Sequence, residues 1–290
     1  MKSLFNLNNK INNRLLNKGY FSNINKKIIF NVYMMIRNEF KKKLGRKCKV
    51  SLIEQIMITL FKLRYNLPDR ILEDLFRIDH VTISRIIIRI STYLSKVNIN
   101  IKDNINIKDN INIKDNINIK DKESNLFYIV DSTVLRIGKG KNNETYSGYK
   151  HHHGVKFQVT INDKSMIEHV SKSYSSSIHD KKLFIKEYKS LMSKINKDLD
   201  ILGDKGYSGL NEYKVNIPTK RNEVKYKENK NLSKSENKIL SSKRIKVEHV
   251  FAYIKSYRIM QRLNYYTKDK IDILFNSIAN IYNLSQLINS

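Results

Sequence analysis

The sequence predicts an α/β protein in which an all-α domain precedes a domain built on a mixed five-stranded sheet flanked by helices. Two observations lead to this fold class. Apolar residues recur at helical spacing from residue 49 to residue 97, whereas short apolar runs bounded by turn residues dominate after residue 123. Between them, residues 98–121 are four copies of NINIKD, which we interpret as a low-complexity linker.

The predicted domain organisation follows from these shifts. It comprises an N-terminal segment of unknown role (1–44), a helical domain (45–97), the linker (98–122) and an α/β domain (123–290). A chain of 290 residues with 40% hydrophobic content is long enough to bury a core in each folded part.

Charge favours a polyanionic partner. The chain has 55 Lys and Arg against 27 Asp and Glu, and a net charge of +28 opposes compaction unless a partner such as nucleic acid neutralises it. No run of 18 apolar residues and no signal peptide is present, so we expect a cytoplasmic protein without a membrane partner. The single Cys48 excludes an internal disulfide and a multi-cysteine zinc site.

The helical part predicts a helix over 28–40, to which we assign no function, and then a helix-turn-helix pattern. Ser51 is a good N-cap for the first helix, Pro68 suits the start of the second, and 77–79 forms a tight turn before a third helix from His80. In such a motif the N-terminal residues of the last helix contact base edges, here His80, Thr82, Ser84 and Arg85. Ile83, Ile86, Ile87 and Ile90 would pack inward. Three short helices of this kind also occur in cores that never contact DNA.

The α/β part begins with NLFYIVD, an apolar run that Asp131 closes, as expected at the end of a buried central strand. A turn at 146–148 leads to a second strand (153–162), a third follows at 166–173, and 181–195 predicts a helix. The next apolar run, DLDIL, precedes Asp204, and 215–217 predicts a short fifth strand. Ser233 and Glu236 suggest a capping box for a helix leading to Ser241, and 268–288 predicts a last helix.

The helix predicted over 241–257 presents one acid between two bases. At about 100° per residue, Glu248 and Lys255 lie about 40° and 20° from Arg244, so the three share one stripe. An apolar stripe beside it contains Val247, Val250, Phe251 and Ile254. Glu248 could bind metal while Arg244 and Lys255 hold phosphates. An amphipathic helix with ordinary surface ions explains the same pattern.

Taken together, Asp131, Asp204 and Glu248 predict a three-carboxylate metal site. Mg²⁺ prefers few carboxylates plus water and substrate phosphate, and two such ions can activate a nucleophile and stabilise the leaving oxygen. Asp131 would bridge both ions, with Asp204 and Glu248 at the sides. Each aspartate taken singly could instead be a solvated turn residue.

These acids, in the settings DSTVLRI, LGDKGYSG and RIKVEHVFAYIKSYR, resemble the DDE transposases of bacterial insertion sequences, especially the insertion-sequence-five family and its Harbinger-type relatives. The resemblance covers roughly residues 49 to 290. The family's Arg-x3-Glu-x6-Lys signature is matched by Arg244, Glu248 and Lys255. Ser241 stands where sister groups carry a Tyr, and SIHDKKLF around Asp180 resembles the segment after the third strand.

The resemblance implies a ribonuclease-H-like catalytic domain that cleaves DNA at transposon ends and joins the 3′ hydroxyl to target DNA. It implies two Mg²⁺ ions, with Mn²⁺ as a substitute, and as partners double-stranded DNA carrying terminal inverted repeats and target DNA. Synapsis of two ends implies at least a homodimer, in a bacterial, nucleoid-associated setting. The alternatives are a DNA-binding repressor whose chemistry has lapsed and another nuclease of the same fold.

Two further features carry no predicted site. His151, His152 and His153 could bind a transition metal, although such a tract more often faces solvent or phosphate. Arg221, Lys225, Lys227 and Lys230 form a basic segment that could contact DNA phosphates.

Overall fold

The computed structural model describes residues 26–41, 50–97, 127–138, 145–148, 150–219, 230–261, 263 and 266–289. They form two compact units. The first contains the helices up to residue 97, residues 257–259 and the chain from residue 273, and the second contains the sheet with its helices. The predicted linker and the basic residues 221–227 lie outside the described residues.

Four helices open the first unit. They are α1 (Lys26–Lys41), α2 (Leu52–Tyr65), α3 (Asp69–Phe76) and α4 (His80–Lys96). Ser51 caps α2 in a capping box with Glu54, α3 ends at Arg77 in a left-handed conformation (φ 54°), and the Asp79 side chain caps α4. The predicted helix-turn-helix is therefore confirmed.

The core of the first unit is the apolar face of α4. The predicted inward residues Ile83, Ile86, Ile87 and Ile90 are all buried. The last helix, α7 (Lys268–Asn289), contacts the same helix. The Ser277 hydroxyl donates to the Ser91 carbonyl (2.7 Å), and the Asn280 amide donates to the Leu94 carbonyl (2.7 Å).

The second unit is built on a mixed sheet. Its strands are β1 (Phe127–Arg136), β2 (Tyr146–Ser147), β3 (His152–Asn162), β4 (Ile167–Val170), β5 (Tyr174–Ser175), β6 (Asp200–Leu202) and β7 (Val215–Asn216). The order is β2-β3-β1-β6-β7, with β4 and β5 also paired to β3. Strand β3 runs antiparallel to β1, whereas β6 runs parallel to β1 and to β7. This is the ribonuclease-H-like arrangement, and all five predicted strands are present.

Two helices cover the sheet. Helix α5 (Asp180–Met192) buries Phe184 and Leu191 in a cluster with residues of β1 and β6. Helix α6 (Lys230–Lys255) buries its predicted apolar stripe, Val247, Val250, Phe251 and Ile254. It contacts β1 through the Lys243 ammonium group, 4.3 Å from the centre of the Phe127 ring.

Two local predictions are wrong. Residues 146–148 are not simply a turn, because Tyr146 and Ser147 pair with His153 and His152 as a short strand. Ser233 is not an N-cap, because α6 already includes Lys230, whereas an N-cap needs non-helical backbone. None of the described helices combines the length and apolar character needed to cross a membrane.

Candidate active site

The parallel pairing of β1 with β6 brings two of the predicted acids together. Ile129 is opposite Leu202, and continuing this register by two residues places Asp131 opposite Asp204. Each acid follows apolar residues that are buried in the sheet, Ile129 and Val130 on β1 and Ile201 and Leu202 on β6. One carboxylate therefore lies on β1 and the other just after β6.

Asp131 is not at the end of its strand, contrary to the sequence prediction. Strand β1 continues to Arg136 because β3 pairs with it along this whole stretch, with Asp131 opposite Val159 and Arg136 opposite Gly154. An acid is tolerated there because β6, the neighbour on the other side, ends at Leu202. The strand end that matters for the site is thus the end of β6.

Asp204 is fixed by the turn that follows β6. Its carboxylate caps a short 3₁₀ turn, Lys205–Tyr207, by accepting the Gly206 amide at 2.7 Å. A Cβ atom at Gly206 would lie 2.8 Å from the Asp204 carboxylate and 3.1 Å from that of Asp180. A side chain at this position would force one or both carboxylates to shift, so glycine favours their close approach to the backbone.

Asp180 is a third acid of this cluster, and sequence reasoning gave it no role. It accepts a hydrogen bond from the Ser132 hydroxyl on β1 and another from the Lys156 ammonium group on β3 at 3.0 Å. Lys156 is held in turn by the Ile178 carbonyl at 2.6 Å. Asp180 therefore connects the start of α5 to two strands of the sheet, next to Asp131.

The charge on Asp131 is poorly compensated. Burial raises the pKa of Asp131 to about 6, and the negative charges of Asp204 and Asp180 contribute to the rise. The Ser132 amide, which donates to its carboxylate at 2.7 Å, and the nearby Arg244 oppose that rise. A group of acids with excess negative potential is one that a divalent cation would stabilise.

Helix α6 supplies the cation nearest to Asp131. The Arg244 guanidinium lies 3.6 Å from the Asp131 carboxylate, and both side chains are largely buried. The Arg244 Nε atom is buried and has no hydrogen-bond partner among the described residues. Its position is fixed partly by Lys246, two residues on, whose ammonium group donates to the Asp163 carbonyl.

Glu248 follows Arg244 by one turn on α6, and its side chain is exposed. Among the described residues, Asp131, Asp204 and Glu248 do not form a group whose carboxylate oxygens all lie within 4.8 Å of one another. The structure thus brings together Asp131, Asp204 and Arg244 and leaves Glu248 at the solvent-facing margin. Helical spacing predicted that Arg244 and Glu248 share one side of α6, but it did not predict how far each side chain lies from the sheet.

Lys255 is the other predicted cation of this stripe. Partial burial of its ammonium group and repulsion by Lys150 lower its pKa, while Asp131 acts in the opposite direction. Lys255 therefore lies within electrostatic reach of the acid cluster. Two cations of α6, one on each side of Glu248, interact with Asp131.

The cluster rests on a buried tyrosine. Tyr207 is fully buried, and its hydroxyl accepts a hydrogen bond from the Gln158 amide at 3.1 Å. Burial, together with the charges of Asp180 and Asp131, raises the pKa of Tyr207 well above its usual range. The phenol therefore stays neutral, and its buried ring supports the carboxylates as a fixed part of the core.

In the helix-turn-helix, the solvent-facing side of α4 differs from the predicted set. Arg85 is exposed, whereas Thr82 and Ser84 are half-buried. His80 is held by Glu73, with 2.9 Å between the ring Nδ1 and the carboxylate. Val81 and Ile88, which we did not predict as surface residues, are 44% and 41% exposed. These two apolar side chains share the exposed face with Arg85.

Comparisons with known proteins agree with this geometry. A family model described as DDE superfamily endonuclease matches residues 130–283, and one described as helix-turn-helix of DDE superfamily endonuclease matches residues 48–96. No curated protein and no solved structure matches the chain. The fold and site define a nuclease-type domain with a DNA-binding helix-turn-helix. The chain belongs to the DDE superfamily endonucleases.

Proposed function

We propose that the protein is a transposase that cuts DNA at transposon ends and joins the resulting 3′ hydroxyl to target DNA. The observation that carries this proposal is that the parallel pairing of β1 with β6 brings Asp204 within electrostatic reach of Asp131. Carboxylate oxygens on β1 and just after β6, beside cations of α6, form a donor set suited to Mg²⁺ and a DNA phosphate. Membership of the DDE superfamily endonucleases supports the proposed reaction class, and the proximity of these side chains supports the proposed residues.

Asp131 and Asp204 would hold the metal, with Glu248 as the ligand from α6. Two Mg²⁺ ions, when bound, would activate the attacking water or hydroxyl and stabilise the leaving oxygen. Asp180, held by Ser132 and Lys156, positions this part of the sheet and adds to its negative potential.

Arg244 and Lys255 bind the phosphates of the DNA strand on either side of Glu248. Both cations interact with Asp131, Arg244 at 3.6 Å and Lys255 electrostatically, and this places positive charge beside the acids for a phosphate to meet. No covalent protein intermediate is required. The Tyr207 hydroxyl is neutral and fully buried, so it is not suited to act as a nucleophile.

The helix-turn-helix would recognise the terminal inverted repeats through α4. Arg85 is suited to guanine, whereas exposed Val81 and Ile88 are suited to the methyl groups of thymine. Replacing each thymine of the bound site by deoxyuridine removes those methyl groups. We expect weaker binding at one or two positions, and Val81→Ala with Ile88→Ala should abolish the difference between thymine and uracil.

Assembly and location follow from the proposed reaction. Joining two transposon ends to one target requires at least two copies of the chain, so we propose a homodimer or higher oligomer on DNA. Its place of action would be the bacterial nucleoid. The mass of the protein–DNA complex checks this proposal when each duplex carries one transposon end. A complex that contains two duplexes should contain at least two copies of the chain.

The second candidate is a DNA-binding repressor derived from such an enzyme. It is favoured by the exposed position of Glu248, away from the Asp131 carboxylate that Arg244 approaches. A nicking assay separates the transposase from the repressor. It uses the full chain, Mg²⁺ and a duplex with the sequence of the inverted repeat that flanks the gene. A transposase nicks the duplex, and Glu248→Gln abolishes the nick while Glu236→Gln on the same helix does not. A repressor binds the duplex, leaves it intact and is unaffected by either change.

A further inference from the structure

A lysine at the start of helix α5 lies against the turn that follows Asp204. A Cβ atom at Gly209 would lie 2.7 Å from the Lys181 Nζ atom, so the ammonium group occupies space that this glycine leaves open. Gly209 also has a φ of 80°, a left-handed conformation that glycine adopts without strain. The turn therefore leaves room for the Lys181 ammonium group, to which the proposed function gives no role.

Two carboxylates contact the same turn. Asp204 and Asp180 each place an oxygen close to Gly206, at 2.8 and 3.1 Å from the position of a Cβ atom there. Among the described residues, the Lys181 Nζ atom nevertheless has no acid partner and no hydrogen-bond acceptor. Asp180 is paired instead with Lys156, at 3.0 Å. The charge of Lys181 is thus close to the acids and does not neutralise them.

The Lys181 ammonium group is suited to an external anion. The residue is only half-buried, so a ligand can reach it from solvent. An ammonium group has three donors and no acceptor, and its hydrogen bonds to anions are stronger than those to neutral groups. Its positive charge would repel a metal ion. A phosphate of the DNA substrate fits these requirements.

Helices α5 and α6 cover opposite faces of the sheet. Successive residues of a strand point to opposite faces, and β1 pairs with β3 in one continuous register. Val130 packs in one cluster with Phe184 of α5, whereas Asp131, the next residue, lies 3.6 Å from Arg244 of α6. Lys181 therefore supplies positive charge from the face opposite to that of Arg244. A DNA strand that crosses the end of β6 can contact cations on both sides of the acids.

We propose that the Lys181 ammonium group binds a phosphate that flanks the cleaved phosphodiester, on the side of Asp204 away from α6. This contact holds the strand across the acids and leaves Asp131 and Asp204 available for metal. Lys181 acts on the position of the substrate and not on the reacting atoms. The inference rests on the proposed function, because it assumes that the cleaved strand crosses Asp131 and Asp204.

The test measures binding by the full chain in EDTA to a duplex with the sequence of the inverted repeat that flanks the gene. On this duplex, Lys181→Gln should weaken binding about tenfold, as expected for the loss of one charge-assisted hydrogen bond. The slope of log affinity against log salt concentration should decrease in magnitude by about 0.9, because one phosphate is no longer neutralised.

Uncharged phosphates then locate the contact. One phosphate at a time is replaced by a methylphosphonate, within about five nucleotides of the expected cut, which is about 17 Å along the duplex. At one position this change should weaken binding by the unchanged protein about tenfold. Lys181→Gln should cause no further loss there, because both changes remove the same ion pair. A lysine with only a structural role would give the same penalty on every duplex.

Two further variants control for charge and for folding. Lys182→Gln removes the same charge from the next residue of α5, which is exposed. Its penalty should be small and should not depend on the position of the methylphosphonate. If Lys181→Gln fails to fold, Lys181→Met replaces it, since this side chain is also unbranched and uncharged, and the expected results are the same.

The outcomes separate this inference from the proposed function. A Lys181→Gln penalty that is absent, or equal on every duplex, overturns the phosphate contact, whatever the nicking assay shows. Loss of the penalty at one position supports it. Absence of Mg²⁺-dependent nicking with normal binding overturns the transposase, and the binding result still decides the role of Lys181. Failure of the unchanged protein to bind the duplex overturns both.

Discussion

Among the described residues, two groups of potential metal ligands differ in burial, one in the helix-turn-helix and one on the sheet. In the helix-turn-helix, Glu73, Asp79 and His80 place one ligand atom each within 4.8 Å of one another. Their side chains are 38%, 58% and 45% exposed, whereas that of Asp131 on the sheet is only 18% exposed. The group that is geometrically tighter is thus the more solvated one.

The two groups also differ in how their charges are used. Asp79 caps α4 by accepting the Val81 and Thr82 amides, and Glu73 holds His80, so each member has a structural task. On the sheet, Asp131 retains a pKa raised to about 6 despite the nearby Arg244. We therefore expect uncompensated buried charge to be a better indicator of the metal site than close packing of donors.

The largest difference between the groups should appear in catalysis. We expect Asp131→Asn and Asp204→Asn each to reduce Mg²⁺-dependent nicking by about 10³-fold, because metal-based stabilisation is worth several kcal/mol and about 1.4 kcal/mol is a factor of ten. Asp200→Asn, at the exposed start of the strand that precedes Asp204, and Asp79→Asn, which keeps the cap, should nick normally. Nicking that survives both sheet substitutions would remove the distinction between the groups.

Stability should distinguish the groups next. The folded pKa of Asp131, about 6, exceeds its ordinary value of 3.8, so the folded state binds a proton more tightly than the unfolded state. The ionised carboxylate therefore destabilises the fold above pH 6, and the penalty disappears as the pH falls towards 4. In EDTA at pH 7, Asp131→Asn should be more stable than the unchanged protein by up to about 3 kcal/mol.

Urea unfolding at pH 7 and pH 4 checks this prediction, since the advantage of Asp131→Asn should vanish at pH 4. Adding Mg²⁺ at pH 7 should stabilise the unchanged protein and not the variant, because binding to the folded state alone raises its stability. A variant that is less stable than the unchanged protein at pH 7 would show that Asp131 is already compensated.

Much of the sheet site could be predicted because it depends on local pattern. The apolar residues of NLFYIVD and DLDIL mark β1 and β6, and the parallel pairing of these strands brings Asp131 and Asp204 to one place. The same pattern placed the end of β1 five residues too early. Pairing with β3 depends on residues distant in the sequence. The local sequence therefore does not show whether the strand ends at Asp131 or continues past it.

The rest of the site depends on tertiary contacts that periodicity does not contain. Asp180 matters because Ser132 and Lys156, from two different strands, meet it at the start of α5. Helical spacing placed Arg244 and Glu248 on one stripe, but only the docking of α6 on Phe127 decides that Arg244 approaches Asp131 while Glu248 remains exposed.

A smaller effect is expected at the glycine that separates two of the buried acids. Gly206→Ala would place a Cβ atom 2.8 Å from the Asp204 carboxylate and 3.1 Å from that of Asp180, so one or both must move. We expect a 10- to 100-fold loss of nicking, which is about the effect of disturbing groups that orient metal ligands. Gly148→Ala, which meets nothing within 4 Å, is the control. Normal nicking by Gly206→Ala would show that the position of Asp204 is not critical.

The smallest effect on stability and nicking is expected in the helix-turn-helix group, whose ligand atoms are closer together and more exposed to solvent. Glu73→Gln removes the charge that faces His80, and exposed ion pairs contribute about 0–1 kcal/mol, so the urea midpoint should hardly change. Nicking at saturating DNA should be unaffected, and Mg²⁺ or Mn²⁺ should stabilise this variant as much as the unchanged protein. Loss of metal-dependent stabilisation in Glu73→Gln, with Asp131→Asn unaffected, would assign the metal to the helix-turn-helix and reverse the comparison. Burial would then be a poorer guide to this chain's metal site than the close approach of its donors.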